Sequence, residues 1–251
     1  MKIPILLALA TTGTFVFGQE TPPEPHTVRF LPVGARAPFL QEVRDGVRYE
    51  VDPPEGSLPP RLLTVSNPLK KDGKKPTPGT TKDLEGLRVR LGEISAPMLV
   101  AKPEEMEMTF HSDGKDWLRS KLTESDRTLI VAWRTGETWD QAMSYSIDDS
   151  DSSVPHGSVR VINVAPTSVG VLWGDKRIGV KPQSSVLLPF SSGSKGQLLT
   201  VLHPTEGGSF ARLLQTSVAN STSVRRQWVV FRSDRDDARK PYQVISLSEP
   251  R

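Results

Sequence analysis

The residues best suited to chemistry are four histidines, and nothing around them has the pattern of a catalytic or metal site. They are His26, His111, His156 and His203. No two of them have the spacing of a helical zinc site, and no carboxylate motif stands beside them. The chain also lacks a Gly-x-Ser-x-Gly nucleophile elbow, a Walker loop and a dinucleotide-binding glycine fingerprint. We therefore predict a non-enzymatic protein without a cofactor. The alternative, a hydrolase, would need His111 or His203 beside a carboxylate in the folded chain.

Two clusters of aspartates are the other candidates for a metal site. One comprises Asp148, Asp149 and Asp151, and the other comprises Asp234, Asp236 and Asp237. Neither cluster has the ligand spacing of a calcium-binding EF-hand loop, which also needs a turn glycine and a terminal glutamate. We interpret both as solvated loops between strands and predict no metal.

Two tryptophans are the candidates for ligand binding. Trp173 stands next to a predicted hairpin turn, and Trp139 follows Thr135-Gly136-Glu137 in a predicted loop. Carbohydrate-binding modules often present an aromatic face at such positions, although packing beneath a loop is the alternative for both residues. Trp133 lies in an apolar run matched by Phe231 elsewhere in the chain, so we assign both to the core.

A lysine-rich loop concentrates positive charge, although the whole chain has a formal charge of only +3. The loop spans residues 66–86 and contains Lys70, Lys71, Lys74 and Lys75. No aromatic residue is interleaved with these lysines, as base stacking on nucleic acid would require. We predict a solubilising loop and no nucleic-acid partner, with contact to an anionic polysaccharide as the alternative.

The first residues have the pattern of an export signal. A basic start is followed by an apolar run and by small or tolerated residues before Gln19. The apolar run is shorter than the roughly 20 residues of a membrane-spanning helix. We therefore predict a cleaved signal peptide at 1–18, a Pro-rich linker at 19–27 and no transmembrane segment after cleavage. The exported protein would be periplasmic or extracellular, and the absence of cysteine excludes disulfides and a lipoprotein anchor.

The chain repeats itself. The segment TVRFLPV at 27–33 returns as SVRVINV at 158–164, with matching residue types at six of seven positions. Three further matches follow in the same order: 47–60 with 176–189, 129–136 with 227–234, and 144–148 with 244–248. The first copy must hold about thirty extra residues, much of them in the 66–86 loop. This order of matches predicts an internal duplication.

The polar residues that recur between the two copies are arginines. The pairs are Arg29 with Arg160, Arg48 with Arg177, and Arg134 with Arg232. We interpret them as residues of a solvent face or of ion pairs at strand ends, and not as ligands for an anion.

Alternating apolar residues and frequent turn residues predict strands throughout. Residues 169–180 form a hairpin around Gly174-Asp175, and 41–51 form its counterpart around Asp45-Gly46. A third predicted hairpin joins 210–218 to 224–231. Residues 113–125 fit a short amphipathic helix as well as a strand, and their position opposite the third hairpin of the second copy favours a strand.

The second copy contains the sequence Val180-Lys181-Pro182 after its opening strand and hairpin. This unit resembles one found in uncharacterised secreted bacterial tandem β-sandwich proteins. The resemblance implies a fold and export, and it implies no activity.

The sequence therefore predicts an all-β protein of two tandem, internally duplicated, immunoglobulin-like β-sandwich domains. The first spans 28–150 with the inserted loop 66–86, the linker spans 151–157, and the second domain spans 158–251. We expect a binding or structural role in the cell envelope through contacts with another envelope protein. The alternative is a carbohydrate-binding module whose partner is a polysaccharide.

Overall fold

The protein is all-β in the residues that the structure describes. These are residues 24–37, 40–69, 86–234 and 240–251 of a computed structural model. The predicted signal peptide and Lys70, Lys71, Lys74 and Lys75 lie outside the described residues. Within the described residues no helix is long and apolar enough to cross a membrane.

The described residues contain eighteen strands and one short 3-10 helix at Trp139–Gln141. The strands are β1 (Pro25–Pro32), β2 (Leu40–Arg44), β3 (Val47–Val51), β4 (Leu62–Val65), β5 (Leu87–Arg88), β6 (Met98–Ala101), β7 (Glu107–Ser112), β8 (Lys115–Lys121), β9 (Arg127–Arg134), β10 (Ala142–Asp148), β11 (Val159–Asn163), β12 (Val169–Trp173), β13 (Lys176–Val180), β14 (Ser184–Leu188), β15 (Gly196–Pro204), β16 (Phe210–Ala219), β17 (Val224–Arg232) and β18 (Tyr242–Pro250).

Each half of the chain forms two four-stranded sheets. In the first half, the inner sheet has the order β10-β9-β1-β6 and the outer sheet β5-β4-β7-β8. In the second half, the inner sheet has the order β18-β17-β11-β14 and the outer sheet β13-β12-β15-β16. The strand order is therefore the same in both halves. In each inner sheet one pair is parallel, β1 with β9 and β11 with β17. This order differs from that of an immunoglobulin domain, in which the first two strands are neighbours in one sheet.

A hydrophobic core fills the space between the two sheets of each half. In the first half, Phe30 of the inner sheet lies 5.4 Å from Phe110 of the outer sheet, measured between ring centroids. In the second half, Trp173 of the outer sheet packs in one cluster with Val161 and Trp228 of the inner sheet. Each half is thus a two-layer sandwich whose strands alternate between the core and their opposite face.

A third hydrophobic layer lies between the two inner sheets. It contains Leu31, Val131 and Ile147 from the first half and Ile162, Val229 from the second. The inner strands are therefore buried on both faces, and accordingly five successive residues of β9 and all five residues of β11 are buried. The two halves pack directly through this layer as four stacked sheets, and they do not meet through the linker alone.

The strand registers reproduce three of the four sequence matches. Arg29 lies opposite Leu129 in the first inner sheet, and Arg160 lies opposite Gln227 in the second. Ser144 pairs with Ala132, just as the matched residues Val244 and Val230 pair with each other. Residues that match in sequence therefore occupy the same positions in the two inner sheets.

The fourth match is wrong. β12 and β13 belong to an outer sheet whose order shows β4 and β5 as their counterparts, whereas β2 and β3 pair only with each other among the described residues. Both hairpins have a glycine turn with positive φ, at Gly46 and Gly174. A tight turn specifies that two strands are neighbours, but it carries no information about the sheet that they join.

The third predicted hairpin is also wrong. β16 pairs with β15 in the outer sheet, while β17 pairs with β11 and β18 in the inner sheet. The segment between β16 and β17 therefore crosses from one sheet to the other. In contrast, the strand at 113–125 is confirmed, because β8 pairs along its length with β7.

Candidate functional site

A buried cluster of charged side chains lies at one end of the layer between the inner sheets. Arg29 Nε donates to Asp149 Oδ2 at 2.7 Å, and its Nη1 donates to Glu249 Oε2 at 2.5 Å. Arg225 Nη2 donates to the same Glu249 oxygen at 2.8 Å. Arg160 Nη2 lies 3.4 Å from Asp149 Oδ1. The two carboxylates thus join arginines from both halves of the chain.

Members of the cluster occupy related positions in the two inner sheets. Arg29 and Arg160 lie at matched positions on β1 and β11. Asp149 and Glu249 come directly after Asp148 and Ser248, which lie at matched positions on β10 and β18. Arg160 also donates to Gln227 Oε1 at 2.6 Å. Arg29 and Arg160 therefore form buried ion pairs between the sheets. Of the two interpretations drawn from the sequence, ion pairs apply to these two residues and a solvent face does not.

The surroundings shift the pKa values of two members of the cluster. Burial alone would raise the pKa of Glu249, but hydrogen bonds from Arg29 and Arg225 outweigh it and lower the pKa to about 2. Burial lowers the pKa of Arg160 to about 10, against the attraction of Asp149. Both groups stay charged at neutral pH, so the cluster is a set of ion pairs and not a proton-transfer site.

The aspartate clusters do not form a metal site among the described residues. Asp148 accepts hydrogen bonds from Ser153 Oγ at 2.5 Å and from the Ser150 amide at 2.8 Å. Asp149 is held by arginines. Asp234 forms an ion pair with Arg134, while Asp236 and Asp237 lie outside the described residues. In the part of the chain that the structure describes, Asp148, Asp149 and Asp234 therefore bind protein groups.

Both tryptophans proposed as ligand-binding residues are buried. Trp173 Nε1 donates to the Pro189 carbonyl at 2.7 Å, and its ring meets Phe190 edge-on. Trp139 lies in the core of the first half, and only 2 % of its surface is exposed. Neither indole presents a face on which a sugar could stack, so these two tryptophans do not support the carbohydrate-binding interpretation.

Three polar side chains on the outer sheet of the first half form a hydrogen-bonded row. Ser66 Oγ lies 3.2 Å from His111 Nε2, and His111 Nδ1 lies 3.0 Å from Asp116 Oδ1. A β-bulge between Phe110 and His111 sets the direction of the histidine. The row has the connectivity of a Ser-His-Asp triad. However, the Asp116 side chain is 60 % exposed and also pairs with Arg119 at 3.4 Å.

A cleft of about 450 Å³ borders β4 and β5. Arg61, Arg88 and Arg90 line it. Within the described ranges neither Arg61 nor Arg88 has a carboxylate at ion-pair distance, and Arg90 lies 3.8 Å from Glu93. The cleft could accept an anionic group, but its three arginines are exposed, as solvated surface arginines usually are.

The most unusual surface is the hairpin formed by β2 and β3, which we call the exposed hairpin (Leu40–Val51). Every residue of its two strands is exposed. Large apolar side chains make up much of this surface: Leu40, Val43, Val47, Tyr49 and Val51, at 38–63 % exposure. Isolated two-stranded hairpins are marginally stable in water, and exposed apolar patches commonly mark contact sites. The exposed hairpin is therefore the strongest candidate for an interaction surface.

Sequence reasoning located this hairpin but not its exposure. The segment Val47–Val51 alternates apolar and charged residues, which indicates one apolar face without saying whether another element covers it. The row of Ser66, His111 and Asp116 was missed because Ser66 lies 45 residues before His111, although His111 and Asp116 are paired in one hairpin.

Comparison with protein-family models gives no match, and comparison with curated proteins also gives none.

Replacing Glu249 with glutamine should lower the free energy of unfolding and make it less dependent on pH. Because the folded-state pKa of Glu249 is lowered to about 2, its ionised form stabilises the fold above about pH 4.5, and that contribution is lost as the pH falls towards 2. We expect Glu249→Gln to lower the free energy of unfolding at pH 7 by about 2 to 4 kcal/mol, after allowing for its partial exposure. Denaturant unfolding between pH 2 and 7 measures this.

The control is Asp151→Asn, because the Asp151 side chain is 65 % exposed, so that solvent screens its ion pairs with Arg127 at 3.3 Å and with Arg225 at 3.8 Å. Its unfolding free energy should stay within about 0.5 kcal/mol of the wild type. Equal losses in the two variants, or a constant Glu249→Gln loss down to pH 2, would contradict the assignment.

Proposed function

We propose that this chain is an exported, non-enzymatic protein of the cell envelope that acts through protein–protein contacts. It would consist of two β-sandwich modules that arose by internal duplication. The identical strand order of the two halves and their matched inner-sheet registers support the duplication. Immunoglobulin-like describes the two-sheet architecture of each module and not its strand order.

The exposed hairpin is the observation that carries the proposed function. The second half has no such additional hairpin, because the strands that follow β11, which are β12 and β13, both belong to its outer sheet. The exposed hairpin is thus additional to the duplicated framework, and the folding of that framework does not explain its apolar surface. An added element that keeps apolar side chains in water is favoured where another protein covers them.

A strand edge supplies the mechanism of contact. β2 and β3 each have one edge that no other described strand pairs with. An extended segment can add to such an edge through backbone hydrogen bonds, while neighbouring side chains select the partner. The lysine-rich loop and the signal peptide remain predictions from sequence. Export rests on the predicted signal peptide and is therefore part of the proposal.

Photo-cross-linking from the exposed hairpin tests this function. A photoreactive phenylalanine analogue in place of Tyr49 should form a protein adduct in the cell envelope, because Tyr49 is half exposed on the apolar face. The matched control carries the analogue in place of Lys176, which is also exposed and next to a hairpin turn. Mass spectrometry identifies the adduct. A yield at position 49 no greater than at position 176 would contradict the proposed function.

Hydrolysis is a second candidate function, favoured specifically by the row of Ser66, His111 and Asp116. The hydrogen bonds of 3.2 Å and 3.0 Å would let His111 accept the Ser66 proton during attack on an ester. The exposed carboxylate would orient this histidine less firmly than a buried one. We rank this function second because the described cleft borders Arg61 and not Ser66.

A fluorophosphonate probe distinguishes the second function from chance proximity. If the row is catalytic, the probe should label Ser66, and His111→Ala should lower the labelling rate by at least about a hundredfold. The matched control is Ser112→Ala, a serine next to the histidine whose loss should leave labelling unchanged. Absence of labelling in the wild-type chain removes hydrolysis from consideration.

A further inference from the structure

We infer that the partner of the exposed hairpin is a second copy of this chain, joined edge to edge through β3 in antiparallel orientation. The two-fold axis would pass beside Tyr49. The inference rests on the proposed function, because it names the partner of the same surface. Three features of the exposed hairpin carry it: the direction of its backbone groups, the order of its charges and the position of its apolar face.

The turn of the hairpin determines which backbone groups of β3 point outward. Asp45 and Gly46 have φ values of 52° and 78°, as in a two-residue hairpin turn in which both central residues have positive φ. The flanking residues Arg44 and Val47 then form a hydrogen-bonded pair. Since backbone groups alternate along a strand, Tyr49 and Val51 also bond towards β2. The N–H and C=O groups of Arg48 and Glu50 therefore point to the free edge.

Only one two-fold register brings both outward-facing residues of one copy against those of the other. An axis beside Tyr49 places Arg48 of each copy opposite Glu50 of the other. The outward-facing backbone groups of these residues can then form hydrogen bonds, and their opposite charges meet. An axis beside Arg48 places two arginines opposite each other, and an axis beside Glu50 places two glutamates opposite each other. Opposite charges on facing strands stabilise a sheet and like charges destabilise it. The sequence Val47–Val51 therefore complements itself in antiparallel pairing.

The other edge of the exposed hairpin lacks this property. In β2, the corresponding axis beside Glu42 would place two glutamates opposite each other and Gln41 opposite Val43. The like charges disfavour this register. The self-complementary edge is therefore β3.

Pairing through β3 also joins the two apolar faces. Leu40, Val47, Tyr49 and Val51 lie on one face of the exposed hairpin, together with the ion pair of Glu42 with Arg44, because residues opposite each other share a face. A second copy would place Tyr49 against Tyr49 and Val47 against Val51, and would double the apolar area on that face. The result is a four-stranded sheet, which exceeds the three strands generally needed for independent stability.

Disulfide trapping tests the register. The chain contains no cysteine, so an introduced thiol can bond only to its copy. Tyr49→Cys places two thiols directly opposite each other in a non-hydrogen-bonded pair, with Cα atoms about 4.5 Å apart, within the range of a disulfide. Val47→Cys is the control on the same face, since its own copy would lie roughly 13 Å away. We expect oxidation of the purified exported chain to yield a covalent dimer with Tyr49→Cys and not with Val47→Cys.

Charge exchange tests the interaction itself. Arg48→Glu alone would leave four glutamates at the contact and Glu50→Arg alone four arginines, so each variant should weaken dimerisation at least about tenfold. An equal mixture of these two variants should form a heterodimer, because every facing pair is then Glu with Arg. Arg177→Glu, on the exposed strand β13, is the matched control and should dimerise like the wild type. Sedimentation velocity over a concentration series measures each state.

The outcomes separate this inference from the proposed function. A wild-type chain that remains monomeric up to about 100 μM, or equal trapping by the two cysteine variants, would overturn the self-pairing. If the adduct from position 49 is then another envelope protein, the proposed function stands and the partner is different. If the mixture dimerises no better than either charge variant, opposite charges do not set the register and the inference fails.

Discussion

The burial of the two inner sheets on both faces is the constraint on which the rest of the structure depends. Each inner strand must supply apolar residues to its own sandwich and also to the layer shared by the two halves. Arg29 and Arg160 interrupt that shared layer at matched positions, and each needs a carboxylate because an unpaired buried charge is costly. Asp149 and Glu249 meet this need, so the two halves are aligned by charge as well as by packing.

This arrangement places related surfaces of the two halves against each other, as in a two-fold dimer whose subunits are covalently joined. The faces most suited to association are therefore already used inside the chain. Among the described residues, five of the ten exposed large apolar side chains lie on the exposed hairpin, and the other five are spread over several strands. The exposed hairpin keeps apolar side chains in water and leaves a strand edge unpaired. The exposed apolar side chains and the unpaired strand edge therefore make this hairpin the surface best suited to contact with a partner.

The sequence was sufficient to predict strands and tight turns, because these features follow from local alternation and glycine placement. It did not show which strands share a sheet. The segment between β16 and β17 looks like a hairpin loop but crosses between layers, and the turn at Gly46 looks like that at Gly174 although the two hairpins differ in surroundings. Burial of Trp139, the ion pair of Arg29 with Glu249 and the closeness of Ser66 to His111 depend on segments that are distant in sequence, which no local pattern encodes.

The central claim is that a doubly buried framework carries a hairpin whose free edge is used for contact. Residue-resolved hydrogen exchange at low and high protein concentration tests it most directly. We predict slow exchange in β9 and β11 at both concentrations, and fast exchange of the Arg48 and Glu50 amides that becomes slow only at high concentration. Those two amides should respond to concentration, whereas Tyr49, whose amide bonds towards β2, should change less. Protection of Arg48 and Glu50 that is already complete in dilute solution, or that never develops, would contradict this account.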